Sequence, residues 1–256
     1  MLQNTFTLIP GFKEKQQRQL WKKGILTWDD FLQAEAIQGI SALRKQEIDR
    51  QLQRFKYHLE QRDSVFFARK LPSGLHWLCY PAFGEEAVFL DIETSGTGRV
   101  HYITVIGAAD RSGYQSLVRE VNLNAARLKE LLAPYKMVIS FYGSGFDIPI
   151  MKKEFPFLPL YSLPHFDLCL CGKQIGLHGG LKKVEIQLGI TRPQEVSGMG
   201  GYEAVMLWDK YRRNEDHQAL ELLLRYNRED TCNLVQLAEM IFDRLQQDYL
   251  KVDGEA

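Results

Sequence analysis

Asp91 and Glu93 stand two residues apart at the end of an apolar run, in VFLDIETSG. In an extended strand, residues two apart share a face, so both carboxylates point the same way. Like charges this close repel strongly in a low-dielectric setting. The pair is stable only when one acid is protonated or a cation lies between them. Oxygen-only ligands select a hard divalent ion, Mg2+ or Mn2+, over zinc. Taken alone, the spacing also fits a solvated loop after an ordinary strand. Two further segments bring acids of the same kind. In VISFYGSGFDIPIM, an apolar run and a glycine-containing loop lead to Asp147 at an expected helix start, where an N-cap is the ordinary alternative. In LLRYNREDTCNLVQL, Tyr226 and Asp230 lie four apart and share a helix face; the ordinary alternative is an amphipathic helix with a half-buried tyrosine. The three segments together, in this order, are much harder to assign to ordinary structure.

The elements that must position these residues follow from periodicity. Residues 13–61 read as helical, with Phe31, Leu32, Ala36, Leu43, Ile48, Leu52 and Phe55 near helical spacing. Thr27 is an expected helix cap followed by Asp29 and Asp30. The pattern breaks at Leu71-Pro72-Ser73-Gly74. This predicts a small all-helical domain over residues 1–70 and a larger domain over residues 71–256. In the second part, strands are expected over 76–80, 87–92, 100–109, 114–121 and 137–141. Helices are expected over 124–132, from Asp147, over 181–188, over 202–212 and over 216–249. A strand meander followed by alternating strand and helix predicts an α/β domain with a mixed sheet flanked by helices.

Composition narrows the class. Lys+Arg and Asp+Glu balance at 32 each, so net charge names no partner. The distribution is uneven: residues 1–80 hold 13 Lys/Arg against 8 Asp/Glu, and the remainder 19 against 24. A basic front beside an acidic body suits nucleic-acid handling next to a metal site; chance asymmetry explains it equally well. Four cysteines do not make a disulfide framework at this length. The opening MLQNTFTLIPGF lacks the features of a signal peptide, and no apolar run reaches membrane-spanning length. A cytoplasmic protein with reduced thiols and no membrane partner is expected.

D-x-E on a first strand, a later F-D and a terminal Y-x3-D resemble the DEDD exonuclease superfamily, in its tyrosine-containing (DEDDy) branch. The segments FLDIETSG, HGGLKKVEIQLGITR, AVMLWDKY and LLRYNREDTCNL are similar to the YprB-type ribonuclease-H-like proteins. The likeness covers roughly residues 75–245. It implies a ribonuclease-H-like fold and a 3′–5′ exonuclease that hydrolyses phosphodiester bonds with two Mg2+ or Mn2+ ions. Asp91, Glu93, Asp147 and Asp230 would hold the two ions, about 4 Å apart. One ion would lower the pKa of the attacking water and the other would stabilise the leaving oxygen. Tyr226 would aim the water, since a group of ordinary pKa about 10 is no full base at neutral pH. Glu93 would meet the terminal 3′-hydroxyl, and the Thr94-Ser95-Gly96 turn would let the backbone approach the last nucleotide. The implied partner is nucleic acid with a free 3′ end, single-stranded. In one respect the chain departs from the family: Tyr142 stands where an asparagine is usual. A module that kept the fold and lost efficient catalysis is the competing reading.

Other residues read less sharply. LIPGFKEKQQRQLWKKGILTWDDFL resembles a helix-hairpin-helix element, although Phe12-Lys13 replaces the usual second glycine. Such hairpins offer backbone N–H groups and lysines to phosphates. Lys13, Lys15, Arg18, Lys22 and Lys23 are the corresponding substrate-binding residues, and the likeness favours DNA over RNA. A helical domain for protein contact fits equally. His165 and Asp167 are expected to support structure. Cys169 and Cys171 form C-x-C without a partner pair. Lys182 and Lys183 follow a His-Gly-Gly turn that fits phosphate binding or a solvated surface.

Overall fold

The structure is a computed structural model that describes residues 1–96 and 101–251. Four helices come first: α1 (Glu14–Lys22), α2 (Trp28–Gln33), α3 (Ala42–Glu60) and α4 (Ser64–Lys70). Thr27 caps α2, its hydroxyl accepting the Asp30 N–H while the Asp30 carboxylate accepts the Thr27 N–H, a reciprocal box that satisfies two otherwise orphaned donors. Phe31, Ile48, Leu52 and Phe55 are buried, whereas Leu43 is exposed. Residues 76–80, expected as a strand, instead belong to a 3-10 turn, Ser73–Cys79, and the short helix α5 (Tyr80–Phe83). Pro81 in the first turn of α5 explains the difference: it has no N–H to give a sheet and its fixed φ suits a helix start.

Next come β1 (Ala87–Thr94), β2 (Ile103–Asp110), β3 (Gly113–Val118), α6 (Ala125–Leu132), β4 (Met137–Ser140), α7 (Asp147–Glu154), β5 (His165–Asp167), α8 (Leu168–Gln174), α9 (Leu181–Leu188), α10 (Gly201–Asn214) and α11 (His217–Leu250). The strand expected over 100–109 starts at Ile103; Val100 lies outside the described residues. β5 and α8 were not expected from periodicity. The sheet order is β3-β2-β1-β4-β5. β1 pairs antiparallel with β2 and parallel with β4, so the sheet is mixed.

β1 is buried on both faces. Val88, Leu90 and Ile92 join the cluster under α6 and α7 with Leu128, Leu132 and Met151. Ala87 and Phe89 join the opposite cluster with Leu234, Leu237 and Ile241 of α11. By strand alternation, Asp91 and Glu93 continue the α11 face. Gly107 of β2 lies opposite Asp91, and its missing side chain lets α11 approach: a Cβ there would come within 2.5 Å of Thr231 Oγ1 and closer still to Asn227 Oδ1. The far end of α11 packs on the first helices, where Tyr249 meets Trp21 at 5.4 Å between ring centroids and accepts a hydrogen bond from Gln17. No helix among the described residues is long and apolar enough to cross a membrane.

Candidate active site

Four elements converge on a cleft of about 530 Å3. Its walls include Asp91, Glu93 and Thr94 from β1, Asp147 from α7, Gly179, Gly180 and Leu181 at the start of α9, and Tyr226 and Asp230 from α11. Asp91, Glu93 and Asp230 each offer a carboxylate oxygen within 4.8 Å of the others. Asp147 is the first residue of α7 and does not cap it; its Oδ1 accepts the Ile92 N–H at 3.1 Å, tying α7 to β1 across 55 residues. A β-bulge between Glu93 and Thr94 ends the regular ladder beside the carboxylates, as bulges near functional sites commonly do.

Burial raises the pKa of all four acids. Asp91 is held well above the usual carboxylate range by desolvation and then by Glu93, Asp230 and Asp147. Desolvation and Asp230 push Glu93 up to about 8. Asp147 is pushed up to about 7, chiefly by desolvation. Asp230 is also raised by desolvation, with Arg192 pulling it back. Four acids that resist ionisation together, Glu93, Asp147 and Asp230 buried and Asp91 half-buried, form a donor set suited to divalent cations: all hard oxygen, and each stabilised as an anion by the incoming charge.

Asn227, which sequence reasoning missed, orders the centre. Fully buried on α11, it donates from Nδ2 to Asp91 Oδ2 at 2.8 Å and to Glu93 Oε1 at 3.3 Å, and accepts the Tyr114 hydroxyl at 2.8 Å. A polar residue between Tyr226 and Asp230, on a helix otherwise rich in buried leucines, was its one visible signal. Arg192 and Glu185 were missed as well. Arg192 donates to Asp230 Oδ1 and forms a two-pronged pair with Glu185 at 2.6 and 2.7 Å. Nothing in their seven-residue spacing distinguishes them from a surface pair.

Tyr226 is buried against Val105 and Trp208. Its hydroxyl interacts electrostatically with the Asp230 carboxylate, one helical turn on. Burial and the neighbouring carboxylates hold its pKa well above the ordinary tyrosine range, so it stays protonated and acts as a donor. Lys182 places its ammonium 4.7 Å from the Tyr226 ring centroid, and its buried amine makes no hydrogen bond.

The loop before α7 is held under strain. Tyr142 has φ +62°, in the left-handed region that costs a non-glycine residue roughly 1–2 kcal/mol. Asp167 holds it there, accepting the Tyr142 and Ser144 N–H groups at 3.0 and 3.1 Å while also capping α8. His165 pairs with Ser140 at 2.7 Å, and burial keeps it neutral, pushed down to about 4. The cysteines are free thiols.

The proposed substrate-binding side chains divide into two places. Glu93 and Thr94 line the cleft. Lys13, Lys15, Arg18, Lys22 and Lys23 do not; they lie on and around α1, where Lys15, Arg18 and Lys22 border a separate shallow hollow. Arg18 is engaged by Glu14 and by the Lys251 carbonyl, and Lys23 donates to the Gln38 carbonyl.

No curated protein matches the chain. A structure of a family B DNA polymerase from the hyperthermophilic archaeon Pyrobaculum calidifontis superposes with a TM-score of 0.50 at 14% identity. The match covers 64% of this chain and 27% of the polymerase chain, and the likeness is one of fold. The profile of the RNase_H superfamily matches residues 88–242, from the second residue of β1 into the last third of α11. That match spans nearly all of the mixed sheet, most of the helices that flank it and the acidic pocket between β1 and α11, and the chain belongs to the RNase_H superfamily.

Proposed function

We propose that the chain is a metal-dependent 3′–5′ exonuclease of the DEDDy type, similar to the YprB group, acting on single-stranded nucleic acid ends, DNA in preference to RNA. The observation that carries this reading is the meeting of Asp91, Glu93, Asp147, Asp230 and Tyr226 on one cleft from three separate segments. Asp91, Glu93 and Asp230 would share one Mg2+ or Mn2+ ion, and Asp147, on the same cleft, would help to hold a second. When bound, such ions supply an activated water and charge stabilisation for the phosphoryl oxygens. The chain's own residues do the rest. Asn227 fixes the Asp91 and Glu93 rotamers. Tyr226, whose hydroxyl is kept protonated by burial and the neighbouring carboxylates, would orient the water by hydrogen bonding. Glu93 and Thr94 at the strand end receive the terminal nucleotide. Residues 1–70, with the lysines of α1, form the nucleic-acid-binding arm that holds longer substrates.

The second reading, a nucleic-acid-binding module with weak catalysis, draws on Arg192 engaging Asp230 and on the strained Tyr142. Digestion of 5′-labelled and 3′-labelled oligonucleotides, single- and double-stranded, DNA and RNA, separates the two. The exonuclease predicts a Mn2+-dependent ladder on 5′-labelled single strands that Asp91→Asn abolishes. Binding without hydrolysis at any metal concentration supports the module, and cleavage that ignores metal refutes both.

A further inference from the structure

A buried arginine rests on one of the four cleft carboxylates. The Arg192 side chain is 5% exposed, and those of Glu185 and Asp230 are 2% and 10% exposed. Nε and Nη2 of Arg192 grip both oxygens of Glu185, and Asn233 adds a third hydrogen bond to Glu185 at 3.0 Å. This two-pronged geometry fixes the guanidinium plane. The remaining nitrogen, Nη1, points to Asp230 Oδ1. Arg192 does not line the cleft; it reaches Asp230 from the protein side.

Asp230 is also one of the three carboxylates placed to share a cation. Two cations on one carboxylate repel each other, most strongly where water is excluded. An ion entering the triad must therefore share Asp230 with a charge that is already there and that Glu185 prevents from swinging away.

We propose that Arg192 is a resident counter-cation, anchored by Glu185, that orients and neutralises Asp230 in the empty site and so sets its affinity for divalent ions low. Occupancy then rises when an anionic phosphate enters with the ion and supplies the missing negative charge. The inference rests on the reading that these carboxylates hold metal. It assigns Arg192 a positioning role that limits metal loading before substrate arrives.

The test is Mn2+ titration of the full chain by calorimetry, without nucleic acid and then with thymidine 5′-monophosphate. Arg192→Met alone leaves Glu185 buried and unpaired, a change that is often strongly destabilising. The double variant Arg192→Met/Glu185→Met replaces the pair with apolar groups, which buried ion pairs frequently tolerate. The double variant should bind Mn2+ about tenfold more tightly or better, an order of magnitude set by removing one contacting charge. Glu185→Gln, which loosens the two-pronged anchor and lets Arg192 swing away from Asp230, should tighten Mn2+ binding by less than the double variant does. The monophosphate should enhance Mn2+ binding more in wild type than in the double variant. A folded double variant that binds Mn2+ no more tightly than wild type overturns the counter-cation role. Failure of wild type and Asp230→Asn to differ in their Mn2+ response removes the metal reading itself, a separate result.

Discussion

Gly107→Ala tests how closely the cleft depends on the fit between sheet and helix. Gly107 is not among the residues with positive φ, so alanine meets no backbone penalty there; the cost is one of space. The added methyl would overlap Asn227 Oδ1 and come within 2.5 Å of Thr231 Oγ1, both on fully buried side chains. Neither is the free end of a flexible chain. Thr231 is held by the Asn227 carbonyl at 2.7 Å, and Asn227 by Asp91, Glu93 and Tyr114. Overpacking of this kind costs about 1–3 kcal/mol, and a buried hydrogen-bonding group forced off its partner about 1–3 kcal/mol more. The sum, roughly 2–6 kcal/mol, corresponds to a fall in Tm of roughly 4–24 °C at this chain length. Because α11 carries Asp230 and β1 carries Asp91 and Glu93, the same displacement should weaken Mn2+ binding. Thermal unfolding with and without Mn2+ measures both effects. Asn227→Ala in the Gly107→Ala background should recover part of the stability, giving a non-additive cycle. A Gly107→Ala protein with wild-type Tm and wild-type Mn2+ response would refute the claim that this contact sets the carboxylate spacing.

Three further outcomes follow from the site. Without metal, stability should fall as pH rises from about 4 to about 8: Glu93 and Asp147 have folded pKa values of about 8 and about 7, above unfolded values of about 4.3 and 3.9, so the folded state binds more protons. Mn2+ should offset this loss, adding about 2.7 kcal/mol at a hundredfold excess over Kd, and chemical denaturation across pH reads both; a flat metal-free profile contradicts the burial argument. Tyr226→Phe should lower single-turnover hydrolysis by about 10²–10⁴ with nearly unchanged Mn2+ affinity and Tm, while Asp230→Asn damages both hydrolysis and metal binding; full activity in Tyr226→Phe contradicts the orienting role. Tyr142→Asn should raise Tm by a few degrees, because asparagine tolerates the left-handed conformation better, and an unchanged or lower Tm would show that the Tyr142 ring contributes more than the strain costs.

Legibility followed sequence distance. The mixed sheet and the long helices could be read from local period, because alternation in β1 and the leucine rows of α11 are local properties. β5 could not: three residues, His165–Asp167, carry too little pattern. Residues 76–80 misled because the WLCY that follows His76 is an apolar and aromatic run, and only Pro81 hinted at a helix. At the cleft, Asp91, Glu93, Asp147, Tyr226 and Asp230 were nameable because three segments, each ordinary on its own, occur together in the order of the family they resemble. Their supports were not. Arg192 meets Asp230 across 38 residues, and Asn227 meets Asp91 across 136. Such contacts depend on how α9 and α11 seat on the sheet, which spacing does not encode.

α11 also works as a ruler. Asp230 stands near its middle and Tyr249 near its end, 19 residues on, where α1 packs. At about 1.5 Å per residue that rod measures roughly 28 Å. A strand lying from the cleft to the lysines of α1 would cover this distance with about eight nucleotides at roughly 3.4 Å each. Oligonucleotides shorter than that should bind with a salt dependence indifferent to Lys13, Lys15, Lys22 and Lys23. Above that length each lysine contact should steepen the salt slope by about 0.7. The length at which the slope changes would then report, from solution, the span of a single helix.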